Sequence, residues 1–110
     1  MAAEVTREKA FLLLGDELPY SLMVQTEGYE ERADGSVKID QVLLIERDSQ
    51  KKIVIGKGGH KLKAIGQRAR QDLEGLFDRR VHLFLRVKVR PEWSKDPYVL
   101  EDMGLNGDES

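Results

Sequence analysis

Cysteine is missing from the 110-residue sequence, and aromatic residues make up only 6% of it. The first absence excludes disulfides and cysteine-based zinc or redox sites, and it is typical of a reducing compartment. No apolar run approaches the ~18 residues of a membrane-spanning helix. The start, residues 1–6, lacks the basic and apolar segments of a secretory signal. We therefore expect a single small domain in the cytoplasm, without a membrane span.

Nucleotide and metal chemistry also lack their usual residues. The sequence contains no Gly-x-x-x-x-Gly-Lys-Ser/Thr motif, and the glycines around Gly56 have neither that spacing nor the hydroxyl that would hold Mg²⁺. The two histidines, His60 and His82, have no cysteine or acidic residues beside them in a metal-ligand pattern. We predict no catalytic residue, no metal and no cofactor, and hence no GTP hydrolysis by this chain.

Acidic residues are missing from one basic stretch, Lys51 to Arg70. This window carries seven basic side chains and no Asp or Glu, a charge of +7, so the net charge of −2 for the whole chain leaves −9 for the rest. A ligand meets the local field rather than the average charge. The segregation favours a polyanionic partner at this window, although the overall composition is mildly acidic.

A glycine cluster lies in the middle of that basic window. The apolar, β-branched run Ile53–Ile55 stops at Gly56, and Gly58 and Gly59 follow before an amphipathic segment begins. Glycines allow positive φ and close approach of another backbone, and a helix N-terminus attracts anions. We interpret the segment as a strand or turn, a tight loop and then a helix, and we expect a phosphate at the loop.

Periodicity in the first half of the chain predicts one helix and a β-hairpin. The helix is expected over residues 4–14, with Thr6 as a cap and with Ala10, Phe11 and Leu14 in its apolar stripe. A strand should cover residues 20–31 with a bulge at Gly28, and residues 33–36 form a turn signal. A second strand over residues 37–47 has apolar side chains on both faces, which indicates a central position.

The second half is predicted to be two helices and a strand. The helix after the glycine loop should bend at Gly66 and continue to about Phe77. Strict alternation from Val81 to Val89 is typical of a half-buried strand, and Pro91 ends it. A short helix is expected over residues 93–103, and residues 104–110 are expected to be an acidic, flexible tail. The crossover through helices predicts that the last strand runs parallel to one of the first two.

The whole pattern resembles a type II KH domain, in which a GXXG loop lies between two helices. Gly56-Lys57-Gly58-Gly59 matches that loop, and the run 45–59 with the segments 17–20 and 88–93 is similar to the C-terminal KH domain of the bacterial Era GTPase family. The resemblance implies an α+β fold with a three-stranded mixed sheet and helices packed on one face, in the order α-β-β-α-α-β plus a short C-terminal helix. Residues 4–103 would form the domain, after an added or flexible start at 1–3.

The resemblance also implies how single-stranded RNA binds. The backbone would lie against the GXXG loop, and about four bases would enter an apolar groove. The implied RNA-binding residues are the loop residues Gly56, Lys57, Gly58 and Gly59, the apolar residues Ile53, Ile55, Leu62 and Ile65, and His60, Lys61, Lys63 and Arg68, with Arg70 beside them.

The family further implies the partners of such a chain. They are the 3′ end of 16S ribosomal RNA, the 30S subunit during its maturation, and a GTPase domain that this sequence lacks. A parent protein of this family would be cytoplasmic or peripheral at the inner membrane.

Simpler interpretations remain open from the sequence alone. The glycines could form only a tight turn, and the helix start could bind a small phosphate compound. The acidic surface could dock a protein, and another transcription or ribosomal protein could be the parent. The apolar candidates divide between core and groove in a way that the sequence does not decide, and Arg68 and Arg70 could be solvated. Phe84 and Trp93 are predicted to be packing anchors rather than stacking platforms, and His82 to be structural.

Overall fold

The computed structural model describes residues 1–19 and 21–91. Its helices and strands are α1 (Ala2–Leu14), β1 (Met23–Glu31), β2 (Val37–Ile45), α2 (Asp48–Ile55), α3 (His60–Phe77) and β3 (Val81–Val89). This is the predicted order of elements. The predictions for residues 93–103, including Trp93, and for the tail at 104–110 lie outside the described residues. Within the described ranges, no helix is both long enough and apolar enough to cross a bilayer.

The sheet has the order β1-β2-β3, with β1 antiparallel and β3 parallel to β2. The predicted bulge is confirmed, because the pairing register shifts between Thr26 and Gly28. The hairpin turn is also confirmed: Gly35 has a φ of 87°, and Asp34 Oδ1 accepts hydrogen bonds from Ser36 N at 2.9 Å and Ser36 Oγ at 2.6 Å. The Ser36 donors lower the pKa of Asp34 below its ordinary value.

The core lies between β2 and the helices. One face of β2 presents Val37, Ile39, Leu43 and Ile45, all fully buried, and these pack with α1 and α3 residues such as Leu14 and Leu73. The other face carries Val42 and Leu44, which are also buried and cluster with Met23. A strand that is buried on both faces has a nearly continuous apolar sequence. The burial of both faces of β2 confirms its predicted central position. The strand ends at Ile45, two residues earlier than expected.

The first helix differs from its prediction in three ways. It begins at Ala2 rather than Glu4. Thr6 does not cap it, because the Thr6 side chain is fully buried and its hydroxyl donates to Gln41 Oε1 at 2.5 Å. Phe11 is 57% exposed rather than part of the apolar stripe. The buried face runs through Thr6, Ala10 and Leu14, and Phe11 lies about 100° around the helix from Ala10.

The segment before the glycines is the last turn of a helix, so the interpretation of Ile53–Ile55 as a strand or turn was wrong. Gln50 Oε1 accepts hydrogen bonds from the backbone N–H groups of Glu46 and Arg47, both at 3.0 Å, at the start of α2. Such a bond satisfies donors that a helix start leaves unpaired. Val54 is then buried against the core. Local capping and tertiary burial therefore outweigh the preference of β-branched residues for strands.

The predicted division of the following helix at Gly66 was also wrong. α3 runs continuously from His60 to Phe77. A Cβ built on Gly66 would lie 3.4 Å from Leu85 Cδ1 of β3, so this glycine marks a close approach of helix and strand rather than a bend. The GXXG loop, as the resemblance implied, separates two helices, α2 and α3.

Candidate nucleic-acid interface

The glycine loop presents a backbone with almost no side chains on its outer side. Gly56 has φ 75° and ψ 176°, and a Cβ there would lie 2.5 Å from Lys61 Cγ. Gly58 and Gly59 have φ values of 64° and 79°, but a Cβ on either would meet nothing within 4 Å. Gly56 is therefore required by packing inside the fold. The other two glycines are required by their dihedral angles, and they face open space that another backbone can occupy.

A groove of about 470 Å³ begins at this loop and runs between α3 and β3. Its lining residues are Gly59, Leu62, Lys63, Gly66, Gln67 and Arg70 from the loop and helix, and Leu83 and Leu85 from the strand. The helical members recur every three or four residues, which places them on one face. The strand members are two apart and share one face of β3. The floor is thus apolar, and the helix wall carries the polar and basic groups.

Positive charge at the loop and along the groove is available to a ligand. Lys57 and Lys63 are exposed, and in the described part of the chain no ion pair joins either of them to an acid. The N-terminal turn of α3 starts directly after Gly59 and contains no acidic residue. The positive end of the α3 helix dipole adds a partial positive charge to the lysines. The loop end of the groove is therefore an electropositive entrance.

Arg70 is fixed at the far end of the groove by an acid. Glu74 Oε1 accepts a hydrogen bond from Arg70 Nη1 at 3.1 Å, and Glu74 Oε2 accepts one from the backbone N–H of Val81 at 2.9 Å. The Val81 N–H, and secondly the Arg70 charge, lower the pKa of Glu74 below its ordinary value. The carboxylate thus joins α3 to the first residue of β3 and orients the guanidinium.

The structure separates the predicted site residues into three groups. Gly59, Leu62 and Lys63 line the groove. Ile53 and His60 line a second depression, and Ile55 lines a third; both of these depressions include Gly56 and Lys57 and neither includes Leu83 or Leu85. The loop is therefore shared between faces, and the α2 isoleucines do not form the floor of the α3–β3 groove.

Three residues that were predicted to contact RNA do not line the α3–β3 groove. Ile65 is fully buried in the core cluster, so its side chain is not accessible to a ligand. Lys61 lines the second depression with His60. It is partly buried, and its Nζ donates to the backbone oxygen of Leu13 at 3.3 Å, which ties α3 to the end of α1. Arg68 follows Gly66 by two residues, about 200° around the helix, and it points away from the groove. Of the two arginines that were predicted to hold phosphates, Arg70 is the one that lines the groove.

Sequence reasoning missed the strand side of the site. Leu83 and Leu85 had been assigned only to the half-buried face of β3, and Gly66 only to a bend. Their signal was the combination of two features: the alternation in residues 81–89, and a parallel crossover that brings the preceding helix beside that strand. The helical spacing of Leu62, Gly66 and Arg70 would then have indicated which face of the helix meets the strand.

Phe84 is not a packing anchor, contrary to its prediction. Its side chain is 52% exposed, because it alternates with Leu83 and Leu85 and therefore points to the face of β3 opposite to the helices. Lys38 Nζ lies 5.7 Å from the centroid of the Phe84 ring. β3 is an edge strand in the described sheet, and Phe84 does not line the groove.

Comparisons with known proteins agree with this geometry. The KH domain family model matches residues 17–94. GTPase Era of Mesorhizobium japonicum is 55% identical over 105 residues, covering 96% of this chain and 34% of that protein. GTPase Era of Caulobacter vibrioides is 52% identical over 108 residues, covering 98% of this chain and 34% of that protein. The chain thus spans about a third of the length of these curated relatives.

Solved structures give the same result. A crystal structure of Era in complex with MgGDPNP and nucleotides 1506–1542 of 16S ribosomal RNA superposes with a TM-score of 0.85 at 39% identity. The match covers 94% of this chain and 35% of that one. Aquifex aeolicus Era, as a variant bound to GDP and AlF₄⁻, matches with the same score, identity and coverage. The fold is therefore the three-stranded KH fold that the resemblance implied.

Proposed function

Since the chain belongs to the KH domain family, we propose that it binds single-stranded RNA in the groove between α3 and β3. One observation carries the proposal: the loop backbone at Gly58 and Gly59 faces open space, and Gly59 also lines the apolar groove. A GXXG loop of a KH domain clamps about four nucleotides by their backbone. The phosphates lie against the loop, and the bases turn toward Leu62, Leu83 and Leu85.

The charges around the groove fit a chain of phosphates. Lys57 at the loop, Lys63 on the helix wall and Arg70 at the far end are spaced along α3, whose rise of about 1.5 Å per residue puts Arg70 about 16 Å from Gly59. Neutralising each phosphate of a single strand contributes about −0.7 to the slope of log K against log salt. Three contacts therefore give a slope of about −2.

The RNA target that we propose is the 3′ end of 16S ribosomal RNA, in the maturation of the 30S subunit. The support is the similarity to an Era structure that contains nucleotides 1506–1542 of that RNA. Such a ligand requires a cytoplasmic location. The relatives are GTPases of about three times this length, and the P-loop motif is absent from this sequence. The proposal therefore assigns RNA binding to this chain, and GTP hydrolysis to a separate domain of the parent protein.

The test is fluorescence anisotropy with a labelled RNA that corresponds to 16S nucleotides 1506–1542, and with a scrambled RNA of the same length. The variant carries Lys57→Asp plus Gly58→Asp. Asp tolerates the left-handed backbone of Gly58 better than most residues do, so the loop should keep its shape. Repulsion of the phosphate should lower affinity by more than about tenfold, because a basic contact becomes two acidic ones.

A matched control carries Lys57→Asn plus Gly58→Asn, which has the same side-chain size without the negative charge. It should bind less tightly than the wild-type chain but more tightly than the aspartate variant, and both variants should unfold at the same urea concentration. Equal binding by the wild-type chain and the aspartate variant would refute the groove as the RNA site. Equal affinity for the scrambled RNA would refute the proposed target.

A further inference from the structure

The exposed ring of Phe84 adjoins a depression that continues the groove. This depression has a volume of about 600 Å³. Its lining residues are Arg70, Glu74, Arg80, Val81, His82, Leu83 and Phe84. Arg70 and Leu83 line the groove as well. A strand of RNA that passes Arg70 would therefore meet this depression next, at the edge of β3.

The surroundings of the ring favour a nucleotide over an apolar protein segment. Arg70 and Glu74 pair with each other in this depression, and Arg80 leaves it with a net positive charge. Lys38 places its ammonium 5.7 Å from the centroid of the Phe84 ring, and it also lies 3.7 Å from Asp40 Oδ2. A base can stack on an aromatic face whatever its identity, while nearby cations hold the phosphates.

We propose that Phe84 is a stacking platform for a nucleotide beyond those held in the groove, so that the RNA footprint extends around the edge of β3. The inference rests on the proposed RNA-binding function and deepens it. It assigns the base next to Arg70 to the ring, and the adjacent phosphate to Arg80. The groove and the platform then make separate contributions to the affinity for RNA, because a short RNA fills only the groove.

The test compares nested single-stranded fragments of the RNA that corresponds to 16S nucleotides 1506–1542. Fragments of about four nucleotides fill the groove alone, and fragments of about eight extend beyond it. Phe84→Ala should leave the affinity for the short fragment unchanged. It should lower the affinity for the long fragment about 5- to 100-fold, the range that loss of one base stack corresponds to. Phe84→Trp, which keeps an aromatic face, should retain the affinity for the long fragment.

Two further readouts separate stacking from a structural effect. 2-Aminopurine in the extending part of the long fragment should be quenched on binding to the wild-type chain, and this quenching should vanish with Phe84→Ala. Phe11→Ala removes an aromatic ring of similar exposure on α1. Phe11→Ala should leave the affinity for both fragments and the quenching of 2-aminopurine unchanged.

The outcomes distinguish this inference from the function on which it rests. If Phe84→Ala binds the long fragment as the wild-type chain does, the platform is refuted while groove binding stands, and a protein partner becomes the candidate occupant of the ring. An equal loss of affinity for both fragments would mean that the Phe84 ring stabilises the fold, and it would also refute the platform. If the wild-type chain binds neither fragment, both proposals are overturned.

Discussion

Replacing Gly66 by alanine should raise the stability of this chain and lower its affinity for RNA. The residue lies in the middle of α3 and lines the groove. Glycine in a helix interior is about 0.8–1.0 kcal/mol less favourable than alanine. The new Cβ would meet Leu85 Cδ1 at 3.4 Å, which is ordinary van der Waals contact. No clash offsets the gain, so the free energy of unfolding should rise by about 1 kcal/mol.

The same methyl group would occupy the floor of the groove. It would separate one base from Leu85 and from the helix backbone, and burial of apolar surface is worth roughly 25 cal/mol per Å². The affinity for RNA should fall by about tenfold with Gly66→Ala. It should fall by about a hundredfold with Gly66→Leu, whose side chain fills more of the groove.

Gly75→Ala is the matched control for this experiment. Gly75 lies on the same helix, it is exposed, and a Cβ there would meet nothing within 4 Å. It does not line the groove. The control should gain about the same helix stability as Gly66→Ala. It should bind RNA with the affinity of the wild-type chain.

Two measurements test the predicted effects of Gly66→Ala and Gly75→Ala on stability and on RNA affinity. Thermal unfolding followed by circular dichroism should show a rise of about 4–8 °C in Tm for both alanine variants. Fluorescence anisotropy should show an affinity loss for Gly66→Ala alone. If both variants bind RNA equally well, the bases do not lie on this helix face. If Gly66→Ala is destabilised, the packing of α3 on β3 differs from the one described.

Three further predictions concern stability. Thr6→Val should lower the free energy of unfolding in urea by about 1–3 kcal/mol, because it leaves the buried Gln41 Oε1 without its hydrogen-bond donor. The double variant with Gln41→Leu should lose less stability than the sum of the two single variants, and strictly additive losses would contradict this buried hydrogen bond. Gly56→Ala should lower the free energy of unfolding more than Gly58→Ala does. Both positions need a positive φ, but only a Cβ at Gly56 would clash, at 2.5 Å from Lys61 Cγ. Equal losses of stability would contradict this clash. The pKa of Glu74 is lowered in the fold, so the Glu74 carboxylate stabilises the fold above its ordinary pKa of 4.5, and this stabilisation is lost as the pH falls below 4.5. Glu74→Gln should therefore make the free energy of unfolding depend less on pH between pH 7 and pH 3. An unchanged pH dependence would contradict the role of this carboxylate.

Local sequence signals determined the parts of the fold that depend on short-range chemistry. The turn at Asp34-Gly35, the bulge at Gly28 and the alternation of β3 are each set by residues next to one another in the chain. The absence of acids from residues 51–70 likewise identified the basic segment without any structure. These features need no knowledge of distant neighbours, and the structure bears them out.

The errors arose where a distant residue decides the outcome. The run Ile53–Ile55 favours a strand by itself, yet burial of Val54 against core residues such as Leu14 and Leu43 makes it helical. The sequence also does not show that the ammonium group of Lys61, which was predicted to hold a phosphate, donates to a carbonyl of α1. The sequence pattern does not place α1 beside that lysine.

The groove itself is a product of tertiary structure. The sequence determined that a bare, basic loop precedes an amphipathic helix, because glycine spacing and charge are local properties. Only the packing of α3 on β3 decided that Leu83 and Leu85 form the floor, that Ile65 is core, and that Phe84 is exposed. The reason is physical: a strand offers its two faces at alternate residues, and which face meets the helix depends on pairing with β2.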